Sequence, residues 1–177
     1  MNYYCEDNLI IRNMQQSDAQ AFTDGEKAQG WNTDIAKYEM RLEDQVQGKC
    51  ISLTAELEGC PAGYINVYPL GRADGPFAGQ GYPEIVDFGV LEKYQKKGIG
   101  NKLMEIAEQI AAGYADTVYL GVGLHSGYGS AQRMYIKRGY VPDGSGVWYQ
   151  NRPCTPYDKI YINDDELILY LSKKIIL

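Results

Sequence analysis

The chain has 177 residues, 45% hydrophobic and 23% charged, with a formal net charge of −6. This is ordinary globular composition, with enough chain for a substantial core. The acidic balance argues against nucleic acid as the main partner, because phosphate binding wants a basic surface, and it is compatible with a cationic substrate such as an amine. No apolar run approaches the length of a membrane span, so no membrane partner is expected. Met1 to Asp7 lacks the basic stretch and apolar run of a signal peptide, and a cytoplasmic location is the default expectation. Cys5, Cys50, Cys60 and Cys154 are not at metal-ligand spacing, and His125 is the single histidine. Free thiols in a reducing compartment, and no metal, are expected.

In chain order, Leu9 to Arg12 reads as a short strand. Ser17 can cap a first helix through Ala21 and Phe22, and Thr33 a second, in which Ile35, Tyr38, Leu42 and Val46 recur at helical spacing. Gly48 is a plausible stop. Residues 50–57 and 62–68 read as strands of a hairpin turning at Glu58-Gly59-Cys60-Pro61. Gly71 to Pro83 is a long Gly- and Pro-rich loop, and such loops are often functional.

Residues 84–90 read as a strand, 91–97 as a polar connection, and a helix follows with Leu103, Ile106, Ala107, Ile110 and Tyr114 as its apolar stripe. A strand at 117–124 comes next, then a helix with Ser130 as a possible cap and Gly139 just past its end. Tyr140 to Pro142 begins another strand, Asp143 to Asp158 is irregular, and Glu166 to Ser172 is a final strand. The strands at 84–90 and 117–124 are joined through a helix, so they should be parallel with a right-handed crossover. The expectation is a single α/β (α+β) domain over 1–177, with one mixed, twisted sheet of six to seven strands and helices on both faces.

The sharpest chemical signal is Gln95-Lys96-Lys97-Gly98-Ile99-Gly100 at a helix start. Helix N-termini present unpaired N–H groups and the positive end of a dipole, which together bind phosphates. Glycines 98 and 100 let backbone approach a ligand, while Lys96, Lys97 and Lys102 add positive charge. A phosphate loop of the Walker type needs Lys-Ser/Thr after its last glycine, and here Asn101 follows Gly100. A dinucleotide fingerprint wants a third glycine where Leu103 stands, and wants the turn in the first β-α unit.

With its preceding strand, Val86-Asp87-Phe88-Gly89-Val90, this turn resembles the central motif of the GNAT superfamily of N-acetyltransferases: strand, Gln/Arg-x-x-Gly-x-Gly/Ala, helix. A second family element is matched by Ala131-Gln132-Arg133-Met134-Tyr135-Ile136-Lys137-Arg138-Gly139-Tyr140. The two motifs are correctly ordered and together span a core at 84–142.

The resemblance implies splayed central parallel strands with acetyl-CoA as co-substrate. It implies coenzyme contacts at Phe88, Gly89 and Val90, from Gln95 through Ile99, Gly100 and Asn101, and at Lys102. Gly89 suits either a bulge or close packing. An N–H in this stretch aimed at the thioester carbonyl would stabilise the oxyanion. Tyr135 matches the family's frequent general acid, protonating the departing thiolate; its alternative role is core packing.

An alkylamine, with a pKa of about 10, arrives protonated and must lose that proton. Glu84, fourteen residues before Gly98 (98 − 84), resembles the glutamate of the family's histone-acetylating branch and is the first candidate base. Asp87 is the second, and strand alternation sets it on the opposite face from Glu84 unless a bulge intervenes. Tyr82, Asp24, Glu26 and Tyr149 are candidate acceptor-pocket residues. The family often has a coenzyme-contacting Asn where this chain has Tyr128; Tyr128 or Ser130 takes over or the contact is lost. The acceptor implied is a small-molecule or peptide amine, the loops at 71–83 and 143–160 favouring the former. A non-catalytic acyl-CoA-binding module and a homodimer through edge strands or loops are both compatible with the sequence.

Overall fold

A computed structural model describes residues 1–157 and 159–175. Contacts group the chain into two compact units: Met1–Pro69 with Ile85–Ile110, and Leu70–Glu84 with the chain from Ala111 onward.

The first unit begins with β1 (Asn2–Glu6) and β2 (Leu9–Asn13), an antiparallel hairpin. Helices α1 (Gln16–Ala28) and α2 (Ile35–Val46) follow, then β3 (Ile51–Leu57) and β4 (Cys60–Tyr68), β5 (Glu84–Val90) and α3 (Ile99–Ala112). Strand order is β1-β2-β3-β4-β5, and β2, β3 and β4 pair antiparallel in turn. The β3–β4 turn places Glu58 (φ 52) and Gly59 (φ 78) both in the left-handed region, which matches the twist of a two-residue hairpin. Met14, Ala19, Phe22, Tyr38, Leu42, Tyr64 and Leu91 form one buried cluster. Its centre is aromatic: Tyr64 lies 5.0 Å from Phe22 and 5.2 Å from Tyr38, both edge-on, the arrangement ring quadrupoles favour. Arg12 ties strand to helix, donating to Asp18 at 2.7 and 2.9 Å and to Glu56 at 2.9 Å.

The second unit holds β6 (Thr117–Gly123), α4 (Gly129–Lys137), β7 (Val141–Tyr149), β8 (Arg152–Pro153) and β9 (Leu167–Lys174). Strand order is β6-β9-β7-β8, all antiparallel pairs. The register of β7 on β9 shifts between Pro142 and Val147, where Gly144 and Gly146 sit at φ 89 and 83.

The expected β-α-α-β-β-β-α-β-α-β-β order holds from β2 through β7, with β1 added ahead of it and β8 inserted before the last strand, so the described residues carry nine strands rather than six or seven. β1 went unread because its mostly exposed residues show no alternation. The stretch from Asp143 looked irregular because glycines and prolines interrupt it, yet it contains the rest of β7 and all of β8; Asp158 lies outside the described residues.

Helix caps also differ. At α1 the Asp18 carboxylate, not Ser17, accepts the Gln15 N–H at 2.8 Å, and at α2 Asp34 rather than Thr33 accepts from Ala36 at 2.9 Å. α4 starts at Gly129, ahead of Ser130, with no side-chain cap on its N-cap residue Tyr128. Tyr114 falls beyond the end of α3 and is 55% exposed, so it is not part of that helix's apolar stripe.

Candidate active site

The polar connection after β5 is a 3-10 turn over Glu92–Tyr94 leading into the glycine turn. Gln95 is extended, and its side-chain amide folds back to donate to the Val90 carbonyl at 3.0 Å. Lys96 (φ 60) and Gly98 (φ 82) are both left-handed, and α3 starts at the next residue. Gly98 provides the reversal at no steric cost, and nothing stands within 4 Å of where its Cβ would be. The turn into α3 therefore has room around Gly98, with Lys96 and Lys97 exposed alongside. A helix start of this kind concentrates N–H groups and partial positive charge on one spot, which a phosphate can occupy. Gly100 faces the strand instead: a Cβ there would lie 3.1 Å from the Phe88 ring. Lys102 is already engaged, bonded to Glu105 at 2.8 Å and set 4.5 Å over the Tyr4 ring.

Phe88, Gly89 and Val90 finish β5, immediately before this turn. Of the two roles open to Gly89, the packing around it favours the second. The left-handed residue of the strand is Asp87, at φ 47, which interrupts the alternation that would set Glu84 and Asp87 on opposite faces. Gly89 is instead a close-packing glycine: a Cβ would stand 2.7 Å from the Tyr64 hydroxyl oxygen. That hydroxyl donates to Glu26 Oε1 at 2.5 Å and accepts from Lys37 at 3.1 Å. Lys37 also reaches Glu26 Oε2 at 3.2 Å. Burial disfavours a charged Glu26, but the neighbouring hydroxyls of Thr33, Tyr64 and Tyr38, with the Lys37 charge, outweigh it and hold the carboxyl below the ordinary range. Glu26 is thus a buried, paired carboxylate, while Asp24 is exposed and bonded to Gln20.

The other expected site residues belong to the second unit. Glu84 is only 2% exposed. It lies in the electrostatic field of Arg72 and beside Tyr119, whose hydroxyl accepts the Arg72 N–H at 3.0 Å. Tyr119 also packs at a tilt against Phe77 from the long 70–83 loop, ring centroids 4.5 Å apart, and Tyr82 lies 6.2 Å from Phe77. Tyr149 is placed elsewhere, bonded to Asp164 at 3.3 Å.

Tyr135 sits on α4, 6% exposed, with the Tyr140 ring 5.9 Å away. Burial, and secondarily the influence of Tyr128, push its phenol well above the ordinary range, so it stays protonated at neutral pH. Tyr128 covers Gly123, where a Cβ would stand 2.3 Å from its ring, and its hydroxyl donates to Asp165 at 2.9 Å beside His125. Ser130 is in the first turn of α4.

Several partners had no sequence signal. Arg72, Tyr119, Lys37 and Tyr64 are common residue types in no motif, and only long-range packing brings them to Glu84 and Gly89.

Comparison with known proteins agrees with the two motifs. The acetyltransferase (GNAT) family model matches residues 11–140. No curated protein matches the sequence at a significant level. Among solved structures, Ard1 from Thermoplasma volcanium is similar at 16% identity and a TM-score of 0.69, covering 97% of this chain and 100% of that one. The Salmonella typhimurium protein yncA, solved with its cofactor acetyl-CoA, is similar at 16% identity and a TM-score of 0.66, covering 96% and 95%. A ribosomal-protein-alanine N-acetyltransferase from Brucella melitensis is similar at 19% identity and a TM-score of 0.65, covering 93% and 99%. At these identities the structures attest the fold, and the family model, spanning most of the chain, attests the lineage: this protein is an acyltransferase belonging to the GNAT acetyltransferase family.

Proposed function

We propose that the protein transfers an acetyl group from acetyl-CoA to the primary amine of a small molecule. The observation that carries the donor half is the left-handed Lys96–Gly98 turn opening the α3 N-terminus beside exposed lysines, which suits a pyrophosphate. The amine gives up a proton to Glu84, directly or through water, and its nitrogen lone pair attacks the thioester carbonyl. Backbone N–H groups in Phe88–Val90 stabilise the oxygen as it gains charge. The C–S bond then breaks, Tyr135 protonates the departing thiolate, and the nitrogen loses its second proton to solvent, from which Tyr135 regains its own, leaving free coenzyme A and the acetamide. Tyr135 is protonated at neutral pH, and because burial makes its phenol a weaker acid the assignment rests on its place in the second motif.

The preference for a small acceptor rests on the 70–83 loop, which is anchored onto β6 by Arg72 and Phe77. A peptide amine is the second reading, favoured by the ribosomal-protein acetyltransferase among the structural relatives. The test is thiol release from acetyl-CoA over a panel of small amines and N-terminal peptides. Turnover with small amines is expected. Tyr135→Phe should lower kcat by about 10²-fold or more, the scale of one positioned acid. Unchanged turnover in that variant would refute the acid assignment, and turnover with peptides alone would reverse the acceptor class.

A further inference from the structure

Asp87 is the one left-handed residue in β5, and it is not glycine. A side chain in this region costs on the order of 1 kcal/mol, less for aspartate than for most, and persists only where its surroundings hold it. Two neighbours do so. Arg41 of α2 grips the Asp87 carboxylate, Nη2 at 2.6 Å and Nε at 2.7 Å from Oδ2. Arg41 is itself fixed by Tyr68, whose hydroxyl accepts from Nη1 at 2.5 Å and donates to Asp44 at 2.5 Å. From β4, the side-chain amide of Asn66 donates to the carbonyls of Val86 and Asp87, each at 3.3 Å. The flanking peptide groups and the side chain of the irregular residue are therefore all held from outside the strand. Asn66 is 1% exposed, and its Oδ1 has no hydrogen-bond partner among the described residues, so the amide is oriented by the two carbonyls.

We infer that Arg41 and Asn66 are positioning residues for acetyl transfer: they clamp the irregularity at Asp87 and thereby set the direction of the N–H groups at Phe88–Val90. This rests on the functional reading above, in which those groups receive the thioester oxygen. A left-handed residue redirects the strand that follows it, so its conformation decides where the next three amides point. Asp87 serves here as an anchor for Arg41 and not as the base.

The test uses full-length protein with Arg41→Met, Asn66→Ala and Asp87→Asn, read by steady-state kinetics and by amide hydrogen exchange. Asparagine tolerates the left-handed region, so Asp87→Asn keeps the backbone geometry without the charge. Arg41→Met and Asn66→Ala should each lower kcat about tenfold or more, with the KM for acetyl-CoA changed by less than about threefold, because misplacing the acceptor of developing charge acts on the transition state while the phosphate turn is untouched. Asp87→Asn removes the charge but keeps an oxygen that can accept from Arg41, so it should lower kcat less than Arg41→Met does and leave the pH–rate profile where it was. Exchange at Phe88–Leu91 should quicken in Arg41→Met and Asn66→Ala, and not within α3. Wild-type kcat and exchange in both of those variants would overturn the inference. So would an Asp87→Asn enzyme with a displaced acidic limb, which would make Asp87 the base. If wild type acetylates no amine, the functional reading fails, and the exchange data still decide whether the clamp exists.

Discussion

Gly89→Ala tests whether close packing, not backbone freedom, selects glycine at this position. The added Cβ would stand 2.7 Å from the Tyr64 oxygen, 2.8 Å from Cζ and 3.0 Å from Cε1. Those distances are below van der Waals contact, so something must move. Tyr64 cannot retreat easily: its hydroxyl is bonded to Glu26 and Lys37, and its ring packs edge-on to Phe22 and Tyr38. Inserting a methyl into a packed core of this kind costs about 2 kcal/mol. For a chain of this size that lowers Tm by about 4–8 °C. The assay is urea denaturation of the coenzyme-free protein across a double-mutant cycle with Tyr64→Leu, which removes the crowding atoms. In the leucine background the alanine should cost less by at least ~1 kcal/mol, because neighbours in contact do not add. Strictly additive effects would show that the clash is relieved elsewhere and that Tyr64 does not impose the glycine. The same substitution should depress kcat, since Gly89 lies in the stretch proposed to meet the thioester.

Two further outcomes follow from the charges. Tyr119 lies beside Glu84, and a hydroxyl next to a carboxylate favours its ionised form, so Tyr119→Phe should move the acidic limb of the kcat/KM profile to higher pH. In a Glu84→Gln enzyme the tyrosine change should no longer move that limb, and an unshifted limb in Tyr119→Phe would detach the pair from the reaction. Asp18 is buried, which alone would raise its pKa, but Arg12, the Gln15 N–H and Thr54 pull it below the ordinary range. The unfolded chain therefore binds that proton first as pH falls, so the stabilisation is complete above the unfolded pKa and lost as pH drops through the folded one. Arg12→Met leaves Asp18 buried without its cation and should cost about 3 kcal/mol near neutral pH, with a shallower loss of stability on acidification, measured by denaturation at several pH values.

Much of the donor half was legible along the chain. The glycine turn, the strand before it and the α4 motif are local patterns, set by backbone freedom at Gly98 and by helical and strand periodicity, so β5, α3, β6 and α4 were found where expected. Local patterning fails where a strand is exposed or broken by glycine, which is why β1 and most of β7 went unread. Caps were misread by a residue or two because several neighbouring polar residues qualify chemically, and only the folded backbone selects Gln15, with Asp18 bonding back to it, and Asp34.

What the order of residues alone determined is the family and the element that suits an anion, since both depend on short-range conformation. Tertiary structure decided the rest. The left-handed residue of β5 is Asp87, gripped by Arg41 and Asn66 from α2 and β4, while Tyr64 crowds Gly89 from β4. Glu84 is buried beside Tyr119 and Arg72 because the 70–83 loop folds back onto β6. Interactions between residues tens of positions apart leave no periodicity in a sequence, and they are what place charge and strain at this site.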